Sequence, residues 1–97
     1  MRNGEIIPIN GAWSDEANAW VSDTLCLTGD CWIEITLPDK GRIVIKKSES
    51  ENGPYPKALI SKWGGPEFRI RIYGTTENRY IKVCLTAEPT IIQIASI

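Results

Sequence analysis

Cys31-Trp32-Ile33-Glu34-Ile35-Thr36-Leu37 puts Cys31, Ile33, Ile35 and Leu37 at odd positions and Trp32, Glu34 and Thr36 at even ones. An extended chain sends successive side chains to opposite faces, so this stretch reads as a strand with its odd positions in a core. Upstream, Leu25 and Leu27 must share that buried face, which a three-residue hairpin loop, Thr28-Gly29-Asp30, would achieve, with Gly29 suited to a positive φ. Cys31 then points inward and Cys26 outward. Downstream, Pro38-Asp39-Lys40-Gly41-Arg42 is expected to turn the chain so that Ile43 and Ile45 lie opposite Leu37 and Ile35 on the same buried face.

The same two-residue period, punctuated by Gly, Pro, Asn and Asp, runs from Ala19 to the last residue. Eight strands are expected, at Glu5–Ile9, Ala19–Leu27, Cys31–Leu37, Arg42–Lys47, Lys57–Trp63, Glu67–Tyr73, Arg79–Ala87 and Thr90–Ile97. Such a series predicts an all-β protein, an antiparallel β-sandwich of jelly-roll or immunoglobulin-like type. Residues 1–97 form a single domain in this reading, with 1–18 an extended N-terminal segment and Ser14–Asn18 a loop too short for a stable helix. Lys46–Pro54 is a polar, turn-rich hairpin tip, and Gly64-Gly65-Pro66 a turn between strands.

Three features suggest contact surfaces. If Thr75–Asn78 is a hairpin loop, Phe68, Ile70 and Ile72 match Leu85, Val83 and Ile81 inside. The outer face of that hairpin then carries Arg69, Arg71 and Tyr73 beside Tyr80, Lys82 and Cys84, with Arg71 opposite Lys82 and Tyr73 opposite Tyr80. Directly opposed like charges are destabilising, so this face is either relieved by solvent and nearby carboxylates or meets an anion or acidic partner. Four tryptophans exceed what one small core needs. Trp20 and Trp32 share the outward parity of Cys26, and are either covered by a second sheet or the N-terminal segment, or form an external patch serving as a saccharide platform or subunit interface. Finally, Ile91 and Ile97 occupy one face of the last strand and Ile92 and Ile94 the other, which calls for burial on both sides, in mid-sheet or against another subunit.

Composition narrows the chemistry. Ninety-seven residues, 42% hydrophobic and 24% charged, exclude disorder and fibrous repeats, and a net charge of -1 argues against gripping a polyanion by bulk electrostatics. The chain has no His, which removes the commonest general base and metal ligand. Its three Cys lack metal-ligand spacing, and its carboxylate pairs, Asp15 with Glu16 and Glu49 with Glu51, sit in polar loops. No catalytic residue, cofactor or metal site is expected, and the protein is read as a non-enzyme. Glu5 and Pro8 interrupt what would be a signal sequence, and no apolar run approaches membrane-spanning length, so synthesis in a cytoplasm with all thiols free is expected.

In its strand pattern over Ala19–Ile97, the chain resembles the small all-β virion accessory proteins of tailed bacteriophages, of the capsid-decoration, head-fibre or baseplate type. The resemblance rests on fold character and carries over no functional residue. It implies a non-catalytic, homo-oligomeric assembly module of a capsid or tail, with neither membrane nor nucleic acid as partner. Its contact candidates are Trp20, Trp32, Arg69, Arg71, Tyr73, Tyr80, Lys82, Ile91 and Ile97. The alternatives are a carbohydrate-binding module using exposed Trp, and a nucleic-acid or anion binder using the basic aromatic face.

Overall fold

A computed structural model describes residues 6–55 and 57–96. Ten strands occur among them: β1 (Ile6–Pro8), β2 (Gly11–Ser14), β3 (Ala19–Ser22), β4 (Leu25–Cys26), β5 (Cys31–Thr36), β6 (Gly41–Ser48), β7 (Lys57–Gly64), β8 (Glu67–Ile72), β9 (Tyr80–Leu85) and β10 (Ile91–Ser96). They form two antiparallel sheets. The first has the order β1-β10-β5-β8, the second β2-β3-β9-β6-β7, with β4 also beside β9.

The pairs β1–β10, β3–β9, β5–β8 and β6–β7 nest one inside the next. That is one long hairpin rolled into two layers, the jelly roll, and it decides between the two expected sandwich types. Between the layers lies a core of inward positions: Cys31, Ile33 and Ile35 from β5, Ile43 and Ile45 from β6, Ile70 and Ile72 from β8, and Ile81, Val83 and Leu85 from β9. On these four strands the two-residue period reports correctly which side chains go in.

It does not report which strands pair. The expected hairpin between Leu25–Leu27 and Cys31–Leu37 is absent, because Thr28-Gly29-Asp30 carries the chain from the second sheet to the first, and Leu25 instead lies opposite Ile81. Gly29 is not among the positive-φ glycines. The crossing brings the next arch against it: a Cβ on Gly74 would lie 2.5 Å from the Gly29 backbone, while the Gly74 N–H donates to Asp30 Oδ1 at 2.9 Å. Likewise β5 and β6 belong to different sheets and meet only through the core. The expected β8–β9 hairpin is also an arch between sheets, so neither Arg71 with Lys82 nor Tyr73 with Tyr80 is a cross-strand pair.

A one-residue slip corrects the reading of Trp20. Val21 lies opposite Cys84 but Leu25 opposite Ile81, so the register changes by one between β3 and β4 and reverses the parity. Trp20 is consequently inward and 5% exposed, with its ring packed over the Gly11 backbone, while Cys26 remains outward. At the slip the backbone ladder breaks, and the buried Ser22 hydroxyl accepts from the Val83 N–H at 2.8 Å. The Asp23 N–H turns to the Asn10 carbonyl at 2.8 Å.

Replacing Ser22 by Ala should leave the Val83 N–H unpaired in the interior and lower unfolding free energy by about 1–3 kcal/mol, read as a reduced denaturant midpoint at unchanged slope. Gly74→Ala should destabilise as well, whereas Gly29→Ala, whose Cβ would meet no atom within 4 Å, should not; equal effects at the two glycines would refute the close-approach explanation.

Candidate binding face

Side-chain alternation that fills the core leaves the other half of each strand outside. On the first sheet the cross-strand rows are Ile6, Ala95, Trp32 and Arg71, then Pro8, Gln93, Glu34 and Arg69, then Ile91, Thr36 and Glu67. Trp32 is the centre of this face. The Arg69 guanidinium carbon lies 4.3 Å from the Trp32 ring centroid and that of Arg71 5.9 Å away, while Arg71 also sits 5.2 Å from the Tyr73 ring. Cations over aromatic faces are attracted by the ring quadrupole.

Both arginines also meet acids of their own chain. Arg69 Nε is 3.7 Å from Glu34 Oε2, and an Arg71 terminal nitrogen is 3.7 Å from Asp30 Oδ2. Gln93 Nε2 donates to Glu34 Oε1 at 3.0 Å and orients that carboxylate. Exposed ion pairs of this kind contribute at most about 1 kcal/mol each. Their effect is to hold the guanidinium groups near Trp32, Arg69 the closer of the two.

Five of the residues expected at a contact surface thus gather here: Trp32, Arg69, Arg71, Tyr73 and Ile91. Trp20 is in the core. Tyr80 and Lys82 lie on the outer face of the second sheet, where Lys82 is opposite Lys46 and its ammonium lies 5.1 Å from the Tyr55 ring. The expected like-charge opposition exists, but its partners are Lys46 and Lys82. Ile97 falls outside the described residues. Sequence reasoning missed Asp30, Glu34 and Gln93; the available signal was that Asp30, Trp32 and Glu34 descend one strand as Tyr73, Arg71 and Arg69 ascend another, acid matching base.

The last strand is an interior one. β10 is hydrogen-bonded to β1 on one side and β5 on the other, so its own chain occupies both edges. Ile94 is buried and Ile92 half-buried, whereas Ile91 stands outside at 52% exposure. Burial on both faces, expected from the isoleucines, is met on the inner face only.

A shared saccharide platform does not form from the four tryptophans. Trp20 is buried, Trp32 lies beneath Arg69, and Trp13 and Trp63 stand on β2 and β7, the opposite edges of the second sheet. Among the described residues no group of three or more Cys, Asp or Glu could hold a metal ion, and no helix is long and apolar enough to cross a membrane. An open hollow of about 520 Å³ lies between the β6–β7 and β8–β9 loops, lined by Lys47, Glu49 and Glu77, with Lys47 and Glu77 paired at 3.6 Å. Ser48 and Ser50 also line it, the Ser48 hydroxyl accepting from the Ser50 N–H at 3.1 Å, and no aromatic ring does. Compared with protein-family models, curated proteins and solved structures, the chain matches none.

All three cysteines are free, in different settings. Burial, with a smaller push from Asp30, raises the Cys31 thiol from 9.0 to about 11. Burial also raises Cys84, although Lys46 and Lys82 oppose the shift. Because Cys31 ionises more readily in the unfolded chain, its contribution to stability is complete below pH 9.0 and lost as pH rises toward about 11. A thiol reagent at mildly alkaline pH should therefore modify exposed Cys26 first, Cys84 slowly and Cys31 only on unfolding, with three thiols counted in denaturant without reductant. Rapid labelling of Cys31 in the native protein would contradict its placement.

Proposed function

We propose that this protein is a non-catalytic assembly module that acts through the outer face of its first sheet. The observation that carries this reading is the composition of that face. Of the five most exposed large hydrophobic side chains described, Ile6, Tyr73 and Ile91 are on it, at 58%, 57% and 52% exposure, around the arginine-clasped Trp32. Aromatic residues and arginine are the types enriched at protein interfaces, and an ordered guanidinium on a tryptophan costs little further entropy to dock.

The partner we favour is a copy of the same chain within a larger protein shell, of the capsid or tail kind implied by the resemblance to phage accessory proteins. Asp30, Glu34 and Glu67 lie beside Arg69 and Arg71, so the face carries both signs of charge and suits a like surface better than a polyanion. Carbohydrate binding would have to rely on Trp13 or Trp63, 49% and 65% exposed but set apart on opposite edges of the second sheet.

Light scattering on the purified wild type should give a mass above one chain. Changing Trp32 to Ala and Ile91 to Ser together should reduce that mass while preserving the β-sheet circular dichroism, since Ile91 is outside the core. A wild type that stays monomeric, or a double variant that assembles as well as wild type, would remove the support for this surface.

A further inference from the structure

Within the first sheet, hydrogen-bond directions follow from two bonds. The Leu37 N–H donates to the Pro66 carbonyl at 2.9 Å, in line with the β5–β8 register, and the Ile9 N–H donates to the Ile92 carbonyl at 3.1 Å, in line with the β1–β10 register. Antiparallel ladders alternate bonded and non-bonded pairs. Phe68, Ile70 and Ile72 therefore direct their backbone groups to β5, and Glu67, Arg69 and Arg71 direct theirs to the open edge of the sheet. No hydrogen bond of the described chain engages those three.

The other sheet edges are blunted. β1 has three residues and includes Pro8, and β2 has four. β7 is long, but its register shifts opposite Ile45/Lys46, and it carries an exposed charge, Lys62, opposite Ile43. Short edges, proline, bulges and charged side chains, lysine above all, are the usual defences against strand addition. β8 has six regular residues with no proline, bulge or lysine, and its edge charges, Glu67, Arg69 and Arg71, are of both signs.

We propose that β8 pairs antiparallel with β8 of a second copy about a twofold axis at Arg69, joining two first sheets into one continuous sheet. This rests on the self-association in the reading above, not on its choice of the outer face, and specifies the partner and register. The strand is self-complementary in charge: Glu67 and Arg71 lie two residues either side of Arg69, so the axis sets Glu67 of each copy opposite Arg71 of the other. The pairs 67–71, 69–69 and 71–67 are all of the bonded kind, about six backbone hydrogen bonds. Phe68 meets Ile70 of the second copy on the inner side. The two Arg69 side chains are directly opposed, and each has its charge met by Glu34 and Trp32 of its own chain.

Sedimentation and residue-resolved amide exchange test this directly. The amides of Phe68, Ile70 and Ile72 should be protected at all concentrations, and those of Arg69 and Arg71 should become protected as the dimer forms. Arg69→Pro, which removes an N–H that serves nothing in the monomer, should abolish dimerisation with the circular dichroism unchanged. Glu67→Arg and Arg71→Glu should each weaken it about tenfold, and the two together should restore it. A wild type monomeric at about 1 mM, or association indifferent to Arg69→Pro and to both charge reversals, would overturn the pairing. If association survives the β8 variants but is lost in the Trp32→Ala, Ile91→Ser variant, edge pairing fails and the face reading stands; the reverse pattern retains the pairing and rejects the face.

Discussion

Strand β5 is the member on which the structure depends, because its backbone is hydrogen-bonded on both edges, to β10 and to β8. Its side chains divide strictly between two environments. Cys31, Ile33 and Ile35 are almost wholly buried, while Trp32 and Glu34 anchor the outer surface. A slip of one residue would exchange those sets, placing a tryptophan and a carboxylate in the core. The register that buries the isoleucines is thus the same one that brings Arg69 and Arg71 to Trp32.

The electrostatic character of that surface follows from pairing. Arg71 would face a lysine in a local hairpin with β9, but on β8 it lies beside Asp30, Trp32 and Tyr73. The like-charge opposition falls to Lys46 and Lys82 on the other layer, with Lys82 beside the Tyr55 ring. A chain close to neutral overall therefore carries two outer faces of different kind, one with arginines matched to acids and aromatics, and one with adjacent lysines and a tyrosine.

Much of this was legible in the sequence, and what was missed has a common cause. Alternation depends on burial, a property each residue expresses singly, so Ile33, Ile45, Ile70 and Val83 were readable as core, and Cys26 and Arg69 as outward. Pairing depends on how arches cross between layers. A loop such as Thr28-Gly29-Asp30 can turn back within a sheet or step to the opposite one while leaving the same side chains inside, and only the second choice closes this roll. Trp20 was misread for a further reason: the slip at Asp23 reverses parity where no Gly or Pro marks it, and the hydroxyl that repairs the ladder belongs to an unremarkable serine, Ser22. The binding face was consequently half legible, its arginines visible and its acids not.

The nesting of strand pairs also governs how the chain comes to be folded. The innermost pair, β6–β7, is a local hairpin that can form on a microsecond scale. Each pair outward must close a longer loop, until β1 meets β10 near opposite ends of the chain. During synthesis, β1 has no strand beside it until Ile91–Ser96 has left the ribosome, and β5 has only one of its two neighbours. The first sheet is therefore the last part to close, once β10 is available, on the millisecond-to-second scale of sandwiches dominated by distant contacts. Until β10 docks, the isoleucines of β5 lack part of their cover, and transiently exposed apolar strands of this kind are where association between unfinished chains begins.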